Sequence, residues 1–269
     1  MQRHPLDGKV ATLLRDVAAR AVMPRYRTLA AHDIIEKSPG DLVTIADNEA
    51  EEMIGNGLSG LLPDARVIGE EAVAADPTLL DGLGEGIAWI IDPIDGTGNF
   101  AAGRPFFALM VALIADGVVQ AGWVYHPIAG LMCHAALGGG AFVNDAPLHI
   151  PSVDRPRTLC AFGTRYLPEA RREAIEARVA ERGASIALVD IPFCAGEQYR
   201  RIAMGDNDAA LFWRTLPWDH APGALFVQEA GGKVARLDGT AYHPADGGRG
   251  LIAAASPRLW DEAAAIVGN

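Results

Sequence analysis

The sequence predicts a mixed fold: an α+β first half leading into an α/β second half. Three observations predict it. Apolar residues near the start fall at helical spacing. From Phe106 to Ile150, apolar runs follow one another with turn signals between them, the pattern of an antiparallel meander. Beyond Ser152, strand-like and helix-like stretches alternate. The 269 residues suffice for one large domain or two small ones. The change of texture at Pro151-Ser152-Val153-Asp154 sets a soft boundary between residues 1–150 and 151–269.

Each element has its own signal. Val10, Leu13, Leu14 and Val17 define a helix within about Leu6–Ala31, which Pro24 kinks or ends. A second helix starts near Thr44, with Asp47 completing a weak capping box, and runs toward Leu61. Arg66–Gly69 and Ile87–Asp92 read as strands, and Pro93 is expected to stop the ladder of the second. Asp116-Gly117 and Gly138–Gly140 punctuate the meander. Further on, Pro168–Arg182 reads as a helix, Ala187–Ile191 as a strand and Cys194–Met204 as a helix. Asp208–Trp213 reads as a strand, His220–Ala230 as a helix and Leu251–Ala255 as a strand. Ser256 and Pro257 suit the N-cap and first position of a last helix.

Composition narrows the function. There are 34 acidic and 23 basic residues, a net charge of −11. That balance argues against nucleic acid or an anionic membrane as the main partner. Cys133, Cys160 and Cys194 are odd in number and widely spaced, which fits neither a disulfide scaffold nor a zinc ribbon. Scattered thiols suit a reducing, cytoplasmic setting. The first residues carry no apolar leader. The longest apolar run, Phe106–Ala115, falls short of the roughly 18 residues that span a bilayer.

The most informative stretch is WIIDPIDGTGNF, Trp89–Phe100. Asp92 and Asp95 stand at a strand end, and the amides of Gly96 and Thr97 face the same point if a helix starts there. Carboxylates and an anion hole in one place are compatible only with a cation between them, and Mg²⁺ suits that donor set. A plain β-turn is the alternative for Asp92 and Asp95. Glu70 and Glu71 end a short strand, where a solvated loop is the alternative. Asp219 sits at the start of a predicted helix, where a plain N-cap is the alternative. Haloacid-dehalogenase-type phosphatases use D-x-D-G-T after their first strand. The D-P-I-D-G-T here has a different spacing and place, so no phospho-aspartate is expected.

Together these stretches resemble the inositol monophosphatase family of metal-dependent, lithium-sensitive phosphatases. The resemblance runs from KSPGDLVTIADNEAE (Lys37–Glu51) through RVIGEEAVAA (Arg66–Ala75) and IIDPIDGTGNF to WDHAPGALFVQEAGG (Trp218–Gly232). It implies a layered α-β-α-β-α sandwich, a homodimer, and two or three Mg²⁺ ions acting on a small phosphate ester. It implies that Glu70, Asp92 and the Ile94 carbonyl hold one ion, and that Asp92, Asp95 and Asp219 hold another. A third ion would lean on Glu70. Thr97 and Asp47 would orient and deprotonate the attacking water, and the Gly96 and Thr97 amides would bind phosphate. Lys37 matches a lysine near the metal-site loop. The empty cluster would be strained by like charges, with raised carboxylate pKa values.

The resemblance weakens where the organic part of a substrate is read. In PFCAGEQY, Phe193 replaces a glycine, and Cys194 and Ala195 fall where Thr/Ser-Ala is usual. Phe212 stands where inositol enzymes place an acid, six residues before Trp218. Losing an acceptor for a ring hydroxyl costs discrimination, so myo-inositol 1-phosphate is not expected to be the preferred substrate. Histidinol phosphate, fructose 1,6-bisphosphate and 3′-phosphoadenosine 5′-phosphate are the alternatives. Cys194, Ala195, Phe212 and His220 are candidate substrate-reading residues, with Arg165, Glu197, Arg200 and Arg214 beside them. A non-catalytic scaffold that binds a partner is the rival from another class.

Overall fold

The computed structural model describes residues 1–268. Helix α1 (Asp7–Val17) buries Val10, Leu14 and Val17, the stripe the sequence predicts. One π turn (Ala18–Val22) and one 3₁₀ turn (Met23–Arg25) follow, so the helical run ends around Pro24, short of Ala31. Strands β1 (Ile34–Ser38) and β2 (Asp41–Thr44) then form an antiparallel hairpin that the sequence did not announce. Helix α2 (Ile45–Leu61) starts at the expected capping box. The Asp47 carboxylate accepts from the Thr44 amide at 2.8 Å and from its hydroxyl at 2.6 Å.

Next come β3 (Arg66–Gly69), α3 (Glu70–Ala75), β4 (Ile87–Asp95) and α4 (Thr97–Ala101). The meander follows as β5 (Ala108–Ala115), β6 (Val118–His126), β7 (Leu131–Ala136), β8 (Gly140–Val143) and β9 (Ala146–Leu148). These strands make a seven-stranded sheet in sequential order β3 to β9, with only the β3–β4 pair parallel.

The remaining elements are β10 (Thr158–Phe162), α5 (Glu169–Glu181), β11 (Ile186–Leu188), α6 (Ala195–Ala203), β12 (Ala209–Phe212) and α7 (Pro217–Glu229). Then come β13 (Lys233–Arg236), β14 (Leu251–Ala254) and α8 (Pro257–Val267). Their five-stranded sheet has the order β11-β10-β12-β14-β13. It is mixed: β14 runs antiparallel to β12 and β13, because no helix crosses back between β13 and β14.

The layers follow from which faces are apolar. Helices α1 and α2 pack on the outer face of the seven-stranded sheet, with Leu14, Ile54, Trp89 and Trp123 at the centre. Helices α6 and α7 lie between the two sheets around Met110, Tyr199 and Phe226. Helices α5 and α8 cover the far side of the second sheet through Ile175, Trp260 and Ile266. The result is an α-β-α-β-α sandwich, as the sequence reading expected. Among the described residues, no helix is long and apolar enough to cross a membrane.

Candidate active site

Strand β4 delivers the carboxylates. It is buried from Ala88 to Asp95 and does not stop at Pro93. Its pairing with β5 passes instead through an irregularity between Asp92 and Asp95. In a regular strand, residues three apart point to opposite faces. The irregularity breaks that parity and leaves both side chains lining one cavity of about 630 Å³. Asp219, in the first turn of α7, reaches the same cavity from the second half of the chain.

Glu70 arrives differently. It is the first residue of α3, not part of a solvated loop. The α3 amides of Glu71 and Ala72 donate to the Glu51 carboxylate at 2.7 and 2.9 Å, which fixes the start of the helix. Sequence reasoning passed over Glu51. Lys37 Nζ binds Glu70 at 3.0 Å and Glu71 at 2.9 Å. Burial alone would lower the Lys37 pKa, but these two carboxylates raise it.

One oxygen each from Glu70, Asp92 and Asp219 lie within 4.8 Å of one another. Asp92 is 1% exposed, and its Oδ1 has no hydrogen-bond partner. Burial first, and then the neighbouring charge of Glu70, holds Asp92 and Asp219 well above the usual carboxylate range. The sequence reading expected raised values from like charges; burial is the larger cause, with the like charges second. An orphaned buried oxygen among three crowded carboxylates fits a hard divalent cation.

Asp95 is placed otherwise than a simple cluster member. Its oxygens accept from the amides of Ala195 at 3.0 Å and Gly196 at 2.6 Å, at the start of α6. Cys194 Sγ also donates to it at 3.0 Å. Burial outweighs these bonds and still raises its pKa.

Thr97 opens the short helix α4. Its hydroxyl lies 3.0 Å from Asp47 Oδ1 and 2.9 Å from the Ile94 carbonyl. Burial pushes Asp47 up to about 6 despite its bonds to Thr44. Gly96 caps α4 at φ +84°, a conformation that disfavours side chains, and a Cβ there would sit 2.8 Å from the Phe106 carbonyl oxygen. Gly96 and Thr97 are among the residues that line the cavity.

The four candidate substrate-reading residues Cys194, Ala195, Phe212 and His220 form another part of the cavity wall. Their polar groups are largely engaged within the protein. Cys194 and Ala195 are bound to Asp95. His220 Nδ1 pairs with the Tyr199 hydroxyl at 2.9 Å and its Nε2 with the Arg214 carbonyl at 3.0 Å. Since a carbonyl only accepts, Nε2 carries the proton and Nδ1 accepts. Burial pushes His220 down to about 3.

Glu197 and Arg200 point elsewhere and pair with each other at 2.9 Å. Gln198, which the sequence reading missed, also lines the cavity. It is 2% exposed, and neither its amide oxygen nor its nitrogen has a partner. Its place one turn after Cys194 and Ala195 on α6 was the available signal.

A five-layered sandwich with a carboxylate cluster at a buried strand end, and a threonine–aspartate pair beside it, defines a metal-dependent phosphatase. The chain belongs to the inositol monophosphatase family, whose profile matches residues 7–268. It is 34% identical over 245 residues to an inositol-1-monophosphatase of Mesorhizobium japonicum, covering 84% of this chain and 86% of that one. It is 32% identical over 261 residues to a histidinol-phosphatase of Chlorobaculum parvum, covering 92% and 96%. A Thermotoga maritima fructose-1,6-bisphosphatase/inositol-1-monophosphatase is 32% identical over 209 residues, covering 77% of each. The crystal structure of the extragenic suppressor protein suhB of Bartonella henselae superposes with a TM-score of 0.83 at 26% identity, covering 99% of each chain.

Proposed function

We propose that the chain hydrolyses a small phosphate monoester with Mg²⁺, in the cavity between β4 and α6. The observation that carries this reading is the convergence of Glu70, Asp92 and Asp219 around an oxygen without a partner. Glu70, Asp92, the Ile94 carbonyl, Asp95 and Asp219 are the residues that would hold two or three ions. Those ions, when bound, supply a water of lowered pKa and a counter-charge for the phosphate and the leaving oxygen. Thr97 orients the attacking water, and Asp47, hydrogen-bonded to it, accepts the proton. The Gly96 and Thr97 amides face the phosphate oxygens and stabilise charge as it builds on them. Attack is in line on phosphorus, with no covalent enzyme intermediate. Gln198 offers the organic part of the substrate a buried donor and acceptor side by side, the pattern that matches a hydroxyl.

The finer assignments are part of the same reading. The site residues fall on both sides of residue 150, so the proposed units 1–150 and 151–269 work as one enzyme. Three free, buried cysteines support a reducing cytoplasm. The family resemblance supports a homodimer, which sedimentation velocity checks. Phosphate release by the purified protein should require Mg²⁺ and be inhibited by Li⁺. A metal-replete sample inert toward inositol, histidinol, sugar and nucleotide phosphates would sink the reading.

A further inference from the structure

The substrate-side wall carries two arginines that the phosphate chemistry does not use. Arg165 and Arg214 line the same cavity as Asp92 and Asp219. Their guanidinium carbons lie 5.2 and 4.8 Å from the centre of the Tyr166 ring, which holds the pair together. Arg165 gives one N–H to the Gly40 carbonyl at 3.2 Å. Arg214 stands 3.7 Å from the Asp41 carboxylate, beyond hydrogen-bond length. A guanidinium has five N–H donors. Among the described residues, these contacts leave most of both forks without a partner.

The backbone carrying Arg214 is pinned on either side. Its own carbonyl accepts from His220 at 3.0 Å. The Trp213 carbonyl accepts from the Gly250 amide at 3.1 Å, and the Thr215 hydroxyl donates to the Gly248 carbonyl at 2.5 Å. A fixed backbone under an unmatched fork makes a pre-organised receiver for a planar or tetrahedral oxyanion.

We propose that Arg165 and Arg214 form a subsite for a second anionic group of the substrate, a phosphate or a carboxylate distant from the phosphate that is hydrolysed. This rests on the phosphatase reading above and narrows it. A cationic organic part is disfavoured, because the acid nearest this wall, Asp41, already faces Arg214. A neutral polyol leaves both forks unmatched.

The test uses matched ester pairs with the Mg²⁺-loaded enzyme: fructose 1,6-bisphosphate against fructose 1-phosphate, and 2-phosphoglycerate against glycerol 2-phosphate. Histidinol phosphate is the cationic comparison. The expected result is a kcat/KM preference of about tenfold or more for the doubly anionic member of at least one pair. Which pair shows it separates phosphate from carboxylate. Arg165→Met and Arg214→Met should each lower that preference about tenfold, through KM. Arg214→Lys should keep part of it, and Arg249→Met, outside the cavity, should leave it intact.

Equal kcat/KM within both pairs would overturn the inference and leave the phosphatase reading standing. So would equal loss on both members in both arginine variants, which would mean that the arginines only clasp the β1–β2 hairpin or tune Asp219. Hydrolysis of no ester at all would overturn the phosphatase reading and this inference with it.

Discussion

The two walls of the cavity are built on opposite principles. On one, Glu70, Asp92 and Asp219 crowd together with an oxygen that nothing in the protein satisfies. On the other, the polar groups of Cys194, Ala195 and His220 are satisfied within the protein. What that wall leaves open is the Gln198 amide and the two arginine forks. The first wall is energetically incomplete without a cation, so its residues are restricted to carboxylates in this geometry. The second is largely satisfied within the protein, and its open groups, Gln198, Arg165 and Arg214, are the ones left to meet a substrate.

Removing a carboxylate from the first wall should have the largest effect. Asp92→Asn is expected to lower kcat with Mg²⁺ by about 10³-fold or more, while raising the melting temperature of the metal-free protein. A variant that loses activity but melts lower without metal would show that the like-charge crowding is not real. The second effect is one of pH. Asp47, Asp92 and Asp219 have folded-state pKa values raised above their unfolded ones. Their stabilising contribution is full below about pH 4 and fades as the pH rises. It fades through about 6 for Asp47 and above the usual carboxylate range for the other two. Urea unfolding in EDTA should show stability falling across that window, and saturating Mg²⁺ should flatten the slope. A metal-free protein with no such slope contradicts it.

The smallest effect belongs to the second wall. Gln198→Leu removes two buried atoms that lack partners, so the melting temperature should hold or rise. KM for a hydroxyl-rich ester should rise about five- to tenfold while kcat holds. A lower melting temperature with unchanged KM would place the amide in the scaffold instead.

Legibility in the sequence follows the same division. The strand into Asp92, the Thr44–Asp47 box, the meander and the Ser256 cap are local patterns, each decided by residues within a few positions. All are present. The β1–β2 hairpin was not legible, because its strands are short and neither alternates between buried and exposed positions. Strands β10 and β13 are also short, and β10 acquires its partners only from distant segments. The attachment of Asp95 to α6 joins residues 100 and 101 apart. No spacing rule reaches that far. The local motifs were legible one by one, whereas the grouping of Glu70, Asp92 and Asp219, far apart in the chain, was expected only from the family resemblance.

That attachment also bears on how the two halves of the chain are joined. Helix α6 begins on the carboxylate of Asp95, itself the last residue of β4. Gly196 cannot easily change, because a Cβ there would stand 2.8 Å from Val124 and 3.2 Å from Asp95. The origin of α6 is therefore registered to the end of β4, and one carboxylate ties the second half of the chain to the first.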